Sequence, residues 1–167
     1  MTIPYRGTTG DGTYFVTAST WEKQCLLQSD RMAKLFVDVL FHYQNQSKYR
    51  LHEFVVMPNH FHVLLTPLFP VTLEKAVQFI KGGFSYRARK ELRFTGEIWQ
   101  TSFYDHRVRD AEEYGRMRTY IQENPVRAGL VSSPELYPYS SANPRWPVDE
   151  VPQRLKPQLI PILNQQG

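Results

Sequence analysis

Apolar positions along this chain recur with two periods, and the switches between them divide it into strands and helices. Thr13-Tyr14-Phe15-Val16-Thr17-Ala18 is β-branched and aromatic and follows a glycine-rich turn from Gly7 to Gly12, which predicts a first strand. Beyond Ser29-Asp30, either of which suits a helix N-cap, Met32, Leu35, Phe36, Val39 and Leu40 recur at helical spacing towards Tyr43. Residues 48–57 and 60–66 read as two strands joined through Pro58-Asn59, and so as antiparallel hairpin neighbours. Leu73, Val77, Ile80 and Phe84 mark a second helix, interrupted but not ended by Gly82-Gly83. Alternation over residues 103–108 places a fourth strand within residues 99–109. Asp110 caps a third helix with Glu112 and Glu113 in its first turn, where the helix dipole favours acids. That helix carries Tyr114, Met117, Tyr120 and Ile121, and a stop is expected near Asn124-Pro125, because the residue before proline is pushed out of the αR region.

The order strand, helix, strand, strand, helix, strand, helix is the split β-α-β pattern of a ferredoxin-like fold. The expected class is α+β: an antiparallel sheet with helices on one face, plus an added C-terminal helix carrying the tyrosine. After Val131 the character changes, because seven of the twelve prolines lie there. Proline removes a backbone donor, so this part holds no long helix or central strand. The expected division is a domain over residues 1–131 and a proline-rich tail over 132–167, packed on or near it.

A length of 167 residues suits one core, with roughly two-thirds of the unfolded surface buried on folding. Cys25 is the single cysteine, so no internal disulfide forms and a reducing, cytoplasmic compartment is expected. Met1 leads through Pro4 and Arg6 into the glycine-rich turn rather than into an apolar segment, which argues against a secretory leader. No stretch approaches the roughly eighteen apolar residues of a membrane span. The net charge of +4 matters less than its location. Residues 78–109 hold seven basic and three acidic side chains, an excess equal to that of the whole chain. Localised basicity is the footprint of a phosphate-bearing partner, or else a solvated helix face.

His60 and His62 hold the candidate chemistry. In a strand, residues i and i+2 share a face, so both imidazoles converge on one spot and make half of a metal site. Tyr120 and Asn124, four apart on the third helix, share a face of that helix. A tyrosine beside a bound divalent cation is placed to attack a phosphodiester whose oxygen the cation polarises, and the Asn124 amide oxygen would complete the protein ligands. Taken singly, each piece has a plainer reading: a structural His-x-His, a core tyrosine, an asparagine that ends a helix.

Taken together, residues 57–64 (Met-Pro-Asn-His-Phe-His-Val-Leu), then Trp99-Gln100 with Phe103, Asp105-His106 and Arg109, then Tyr120-Ile121, Asn124-Pro125-Val126 and Ala128-Gly129-Leu130-Val131, resemble the single-tyrosine HUH transposases. The REP-associated tyrosine transposase branch matches best, including the Tyr-Pro-Tyr-Ser-Ser segment over residues 137–141. The resemblance implies a bacterial, nucleoid-associated enzyme that cleaves and rejoins single-stranded DNA bearing hairpins derived from repetitive extragenic palindromes (REP). It implies His60, His62 and Asn124 as ligands of Mg²⁺ or Mn²⁺, and Tyr120 as the nucleophile of a 5′-phosphotyrosine intermediate. Imidazole ligands suit Mn²⁺ better than Mg²⁺.

Insertion-sequence relatives use a longer glutamine as third ligand, and the N-terminal segment offers Arg6 alone as a basic residue. Phosphate contacts are expected from Lys81, Arg87, Arg89, Arg107 and Arg109, with Arg6 reading the flanking strand; Tyr5 and Tyr86 are stacking candidates. The short connection from Asp110 into the third helix keeps Tyr120 with its own chain, which predicts a monomer, with a dimer as the alternative. Rival readings are a metal nuclease in which water attacks, and a catalytically silent DNA-binding regulator.

Overall fold

A computed structural model describes residues 12–158. Its elements follow the order β1 (Tyr14–Ser19), α1 (Asp30–Asn45), β2 (Tyr49–Met57), β3 (His60–Pro67), α2 (Leu73–Leu92), β4 (Tyr104–Arg107) and α3 (Ala111–Arg127), with short 3₁₀ turns at Trp21–Lys23, Pro134–Leu136 and Gln153–Leu155. The four strands form one antiparallel sheet in the order β2-β3-β1-β4. This is the expected ferredoxin-like α+β arrangement.

Both faces of the sheet are covered, which explains why β2 and β3 read as nearly continuous apolar runs rather than as a clean alternation. Tyr14, Val16 and Ala18 of β1, Phe54 and Val56 of β2, and Phe61, Val63 and Leu65 of β3 point to the layer of α1 and α2. There Phe36 packs against Phe61 and Phe84 with ring centroids 4.7 and 5.6 Å apart. Fully burying an aromatic of this kind contributes about 1.5–3 kcal/mol. The alternate residues Phe15, Val55, Met57 and Leu64 face the other way and pack against Val108, Tyr114, Ile121 and Leu155. The added helix α3 therefore closes the opposite face of the sheet from α1 and α2.

Local signals set the ends of the helices. Ser29, not Asp30, is the N-cap of α1, accepting from the Met32 amide at 3.2 Å. Thr72 caps α2 and Asp110 caps α3 in the same way. Helix α2 runs unbroken through Gly82-Gly83. A Cβ on Gly83 would come within 2.7 Å of the Tyr43 ring, so glycine there admits close approach of α1. Strand β4 covers only residues 104–107, shorter than expected; Trp99 makes just an isolated bridge to Thr20, and its indole donates to the Lys81 carbonyl.

Helix α3 does not stop at Asn124-Pro125; it continues to Arg127. The proline lies in the last turn, and the helix closes beyond it. The Leu130 amide donates to the Pro125 carbonyl and the Gly129 amide to that of Val126, with Gly129 at φ +74°. This is a Schellman ending, and the left-handed position it needs is filled by glycine.

Residues 137–149 run along β2, the outer strand of the sheet on that side. The Val56 amide donates to the Tyr139 carbonyl, the Ser141 amide to Phe54 and the Asp149 amide to Leu51. The Leu51 and Phe54 amides are capped by the Asp149 carboxylate and the Ser141 hydroxyl. An exposed edge strand is a template for misassembly, and this segment satisfies it. Prolines keep it to an isolated bridge rather than a fifth strand.

Candidate active site

The histidines leave β3 on the face that α3 covers. Thr17 stands directly across from His62 in the β1–β3 register. Its Oγ1 lies 2.7 Å from His62 Nδ1, and Asn59 Oδ1 lies 2.7 Å from His60 Nδ1. The Asn59 amide oxygen only accepts, so His60 Nδ1 carries the proton and Nε2 presents the lone pair. With Thr17 accepting from His62 Nδ1, the second ring presents Nε2 as well. The two rings sit 4.8 Å apart at 75°. Burial, then the neighbouring His60 and Arg127 charges, push His62 down to about 3; burial and Lys23 lower His60. Both imidazoles are therefore neutral at pH 7, the form that binds cations.

Helix α3 brings the remaining groups. The Tyr120 ring lies 5.3 Å from His62 and 6.0 Å from Phe15, and Tyr120 is 41% exposed, so it is not the core tyrosine of the plainer reading. Asn124, one turn on, stays in helical register and places its amide group 3.4 Å from His62 Nε2. Amide nitrogen and oxygen exchange by a half-turn of the terminal group, which offers the oxygen with the rest of the side chain in place. Among the described residues no three of His, Cys, Asp or Glu gather at metal-binding distance. A cation here would draw on two imidazoles and the amide, with the remaining positions left to water or substrate. That neutral donor set fits a divalent ion with open positions.

Two groups in this cluster were not foreseen. Arg127 sits over the Tyr120 ring, its Cζ 4.4 Å from the centroid, and donates to the Tyr120 carbonyl at 3.1 Å. It lies seven residues beyond Tyr120, two turns along the same face, so helical spacing alone could have found it. Thr17 could have been found only from the register of β1 on β3.

The basic candidates are spread out. Arg87 pairs with Glu91 and Arg89 reaches the Gly96 carbonyl, both on α2, across the sheet from the histidines. Lys81 donates to the Gln100 carbonyl at 2.8 Å, and burial lowers its pKa. Arg107 stands opposite Tyr14 in the register, which puts it on the α2 side too. Arg109 ion-pairs with Glu113 at 3.2 Å, and Glu113 also holds His106. That trio lies at the other end of α3, roughly 10 Å along the helix from Tyr120. Arg6 and Tyr5 lie outside the described residues.

Comparison with known proteins places the chain in a family. Residues 11–124 match the family described as "Transposase IS200 like". An uncharacterised protein of Haemophilus influenzae is 26% identical over 147 residues, covering 70% of this chain and 81% of its own length. The REP-associated tyrosine transposase of Escherichia coli K12 is 24% identical over 144 residues, covering 83% and 84%. A solved REP-associated tyrosine transposase bound to a REP hairpin superposes with a TM-score of 0.71 at 22% identity, over 96% of this chain and 99% of that one. That likeness establishes a shared fold.

Proposed function

The chain belongs to the IS200-like transposase family, with REP-associated tyrosine transposases among its relatives, and on that premise we propose that it cleaves and rejoins single-stranded DNA carrying REP-type hairpins. The observation that carries this reading is the meeting of Tyr120, His60, His62 and Asn124 on one face of the sheet.

In the cleavage step the Tyr120 oxygen bonds to phosphorus and the P–O3′ bond breaks. The phenolic proton is lost to solvent, the 3′-oxygen leaves and takes up a proton, and the strand remains as a 5′-phosphotyrosine. Rejoining reverses these changes with an incoming 3′-hydroxyl. The broken bond is stored in the ester, so no ATP is needed. When bound by His60, His62 and Asn124, Mg²⁺ or Mn²⁺ supplies Lewis-acid polarisation of a non-bridging phosphate oxygen. Arg127 adds a fixed positive charge beside the attacking phenol. Helix α3 holds Tyr120 against its own chain's histidines, so a monomer carries the whole site. Lys81, Arg87, Arg89, Arg107 and Arg109 are assigned to phosphates of the hairpin away from the scissile one, with Arg6 reading the flank. On this reading the protein works on bacterial chromosomal DNA in the cytoplasm; among the described residues no helix is long and apolar enough to cross a membrane.

The test is incubation with end-labelled REP-type hairpin oligonucleotides and Mn²⁺, followed by a denaturing gel. A label migrating with the protein, lost in Tyr120→Phe, is the expected result. Continued cleavage by Tyr120→Phe would mean that water attacks. Tight binding with no adduct from the wild-type protein would make it a regulator.

A further inference from the structure

Beside the histidines, a recess of about 340 Å³ is lined by Phe15, Thr17, His62, Tyr104, Met117 and Tyr120. Phe15 is its floor: 6% exposed, stacked on the His62 ring at 5.3 Å and 23°. Tyr104 and Tyr120 stand on that floor nearly upright, at 71° and 74° with centroids 6.4 and 6.0 Å away. Tyr104 is 60% exposed, on a strand that is otherwise polar. The fold thus leaves one large ring in water next to the proposed nucleophile.

We propose that this recess is a nucleobase subsite, taking the unpaired base next to the phosphodiester that Tyr120 attacks. The proposal rests on the reading of Tyr120 as nucleophile and adds what the site holds beyond the phosphate. The lining contains no lysine or arginine, so it does not suit a phosphate. It offers aromatic faces and a pliable thioether, with the Tyr104, Tyr120 and Thr17 hydroxyls at hand for the edge of a ring. A flat heterocycle with polar edges matches that chemistry. The base has to be unpaired, because in a duplex its faces and its pairing edge are already covered. It has to be close to the cleaved bond, because Tyr120 and His62 belong to both recess and reaction centre. A base packed on the Tyr120 ring therefore belongs to a nucleotide neighbouring the phosphate at its hydroxyl.

The probe is a short oligothymidylate carrying one 2-aminopurine, titrated into Tyr120→Phe protein, which keeps the ring. Stacking in the recess quenches the fluorophore, and the expected quench is lost in the Tyr104→Ala double variant and restored by Tyr104→Trp. Affinity falls by about tenfold or more with Tyr104→Ala, in line with alanine substitutions of stacked aromatics, whereas an abasic probe binds both proteins equally. Tyr104 is exposed, and an unchanged melting temperature checks that the variant is folded. Equal quenching with and without the Tyr104 ring, or no quenching at saturation, overturns the subsite. Both readouts are binding, so they stand whether or not Tyr120 forms the covalent adduct, which the gel decides separately.

Discussion

At the scale of single residues, the site depends on which nitrogen of each histidine is turned outwards. Asn59 and Thr17 settle this by holding Nδ1 of His60 and His62. Thr17→Val keeps the shape and strand preference of threonine but leaves a buried ring nitrogen without its partner. Such outer partners typically contribute 10–100-fold to metal affinity or activity, so adduct formation by Thr17→Val should need roughly 10–100-fold more Mn²⁺, while Thr17→Ser stays near wild type. A metal titration of cleavage measures this, and an unshifted Mn²⁺ dependence in Thr17→Val would refute the orienting role. That His60 and His62 share one face of a strand, and Tyr120 and Asn124 one face of a helix, was legible in the sequence from the strand and helix periods; that the two faces meet followed only from the resemblance. The role of Thr17 was not legible, since a cross-strand register is a long-range property. The partner of Arg109, Glu113, sits one helical turn on, beyond the cap.

At the scale of elements, the strand and helix order was legible throughout, and the end of α3 was misjudged for a local reason. Pro125 argues locally for a stop at Asn124, yet the Gly129 ending two residues past Arg127 keeps the last turn helical. That turn carries both Asn124 and Arg127, so a glycine outside the helix sets the geometry of the site. A β-branched residue in the left-handed conformation costs about 1–2 kcal/mol or more. Gly129→Val should therefore lower the melting temperature and, by loosening the final turn, reduce adduct formation. Gly115 offers the control on the same helix: it is exposed, and a Cβ there meets nothing within 4 Å. Gly115→Ala should stabilise the protein by roughly 0.4–1 kcal/mol and leave cleavage unchanged. Equal activity in the two variants would mean that the helix end does not position the site.

At the scale of the whole molecule, the C-terminal segment and the sheet are joined through His52. A bulge between Leu51 and Glu53 lets both His52 and Glu53 turn to the α3 side, where Glu53 meets Arg118 of α3 at 2.8 Å and the Ser141 hydroxyl. His52 is 1% exposed and bridges Glu150 to Thr66. The Glu150 carbonyl can only accept, so Nδ1 donates to it, and in the neutral ring Nε2 accepts from the Thr66 hydroxyl. Burial lowers the His52 pKa, outweighing the Glu150 hydrogen bond and the nearby Asp149 charge. The unfolded chain takes up a proton near pH 6.5 and the folded one only at lower pH, so between those values the unfolded state binds more protons and stability falls as the pH falls. His60 and His62, also lowered, act in the same direction. The melting temperature should hold above pH 7 and decline from about pH 6.5 towards pH 5, as the unfolding free energy falls by up to about 1.4 kcal/mol per pH unit for each such histidine. His52→Gln, which has no titration in this range, should start lower and decline less steeply. Parallel wild-type and variant curves between pH 7 and 5 would show that His52 is not the group through which acid loosens the C-terminal segment.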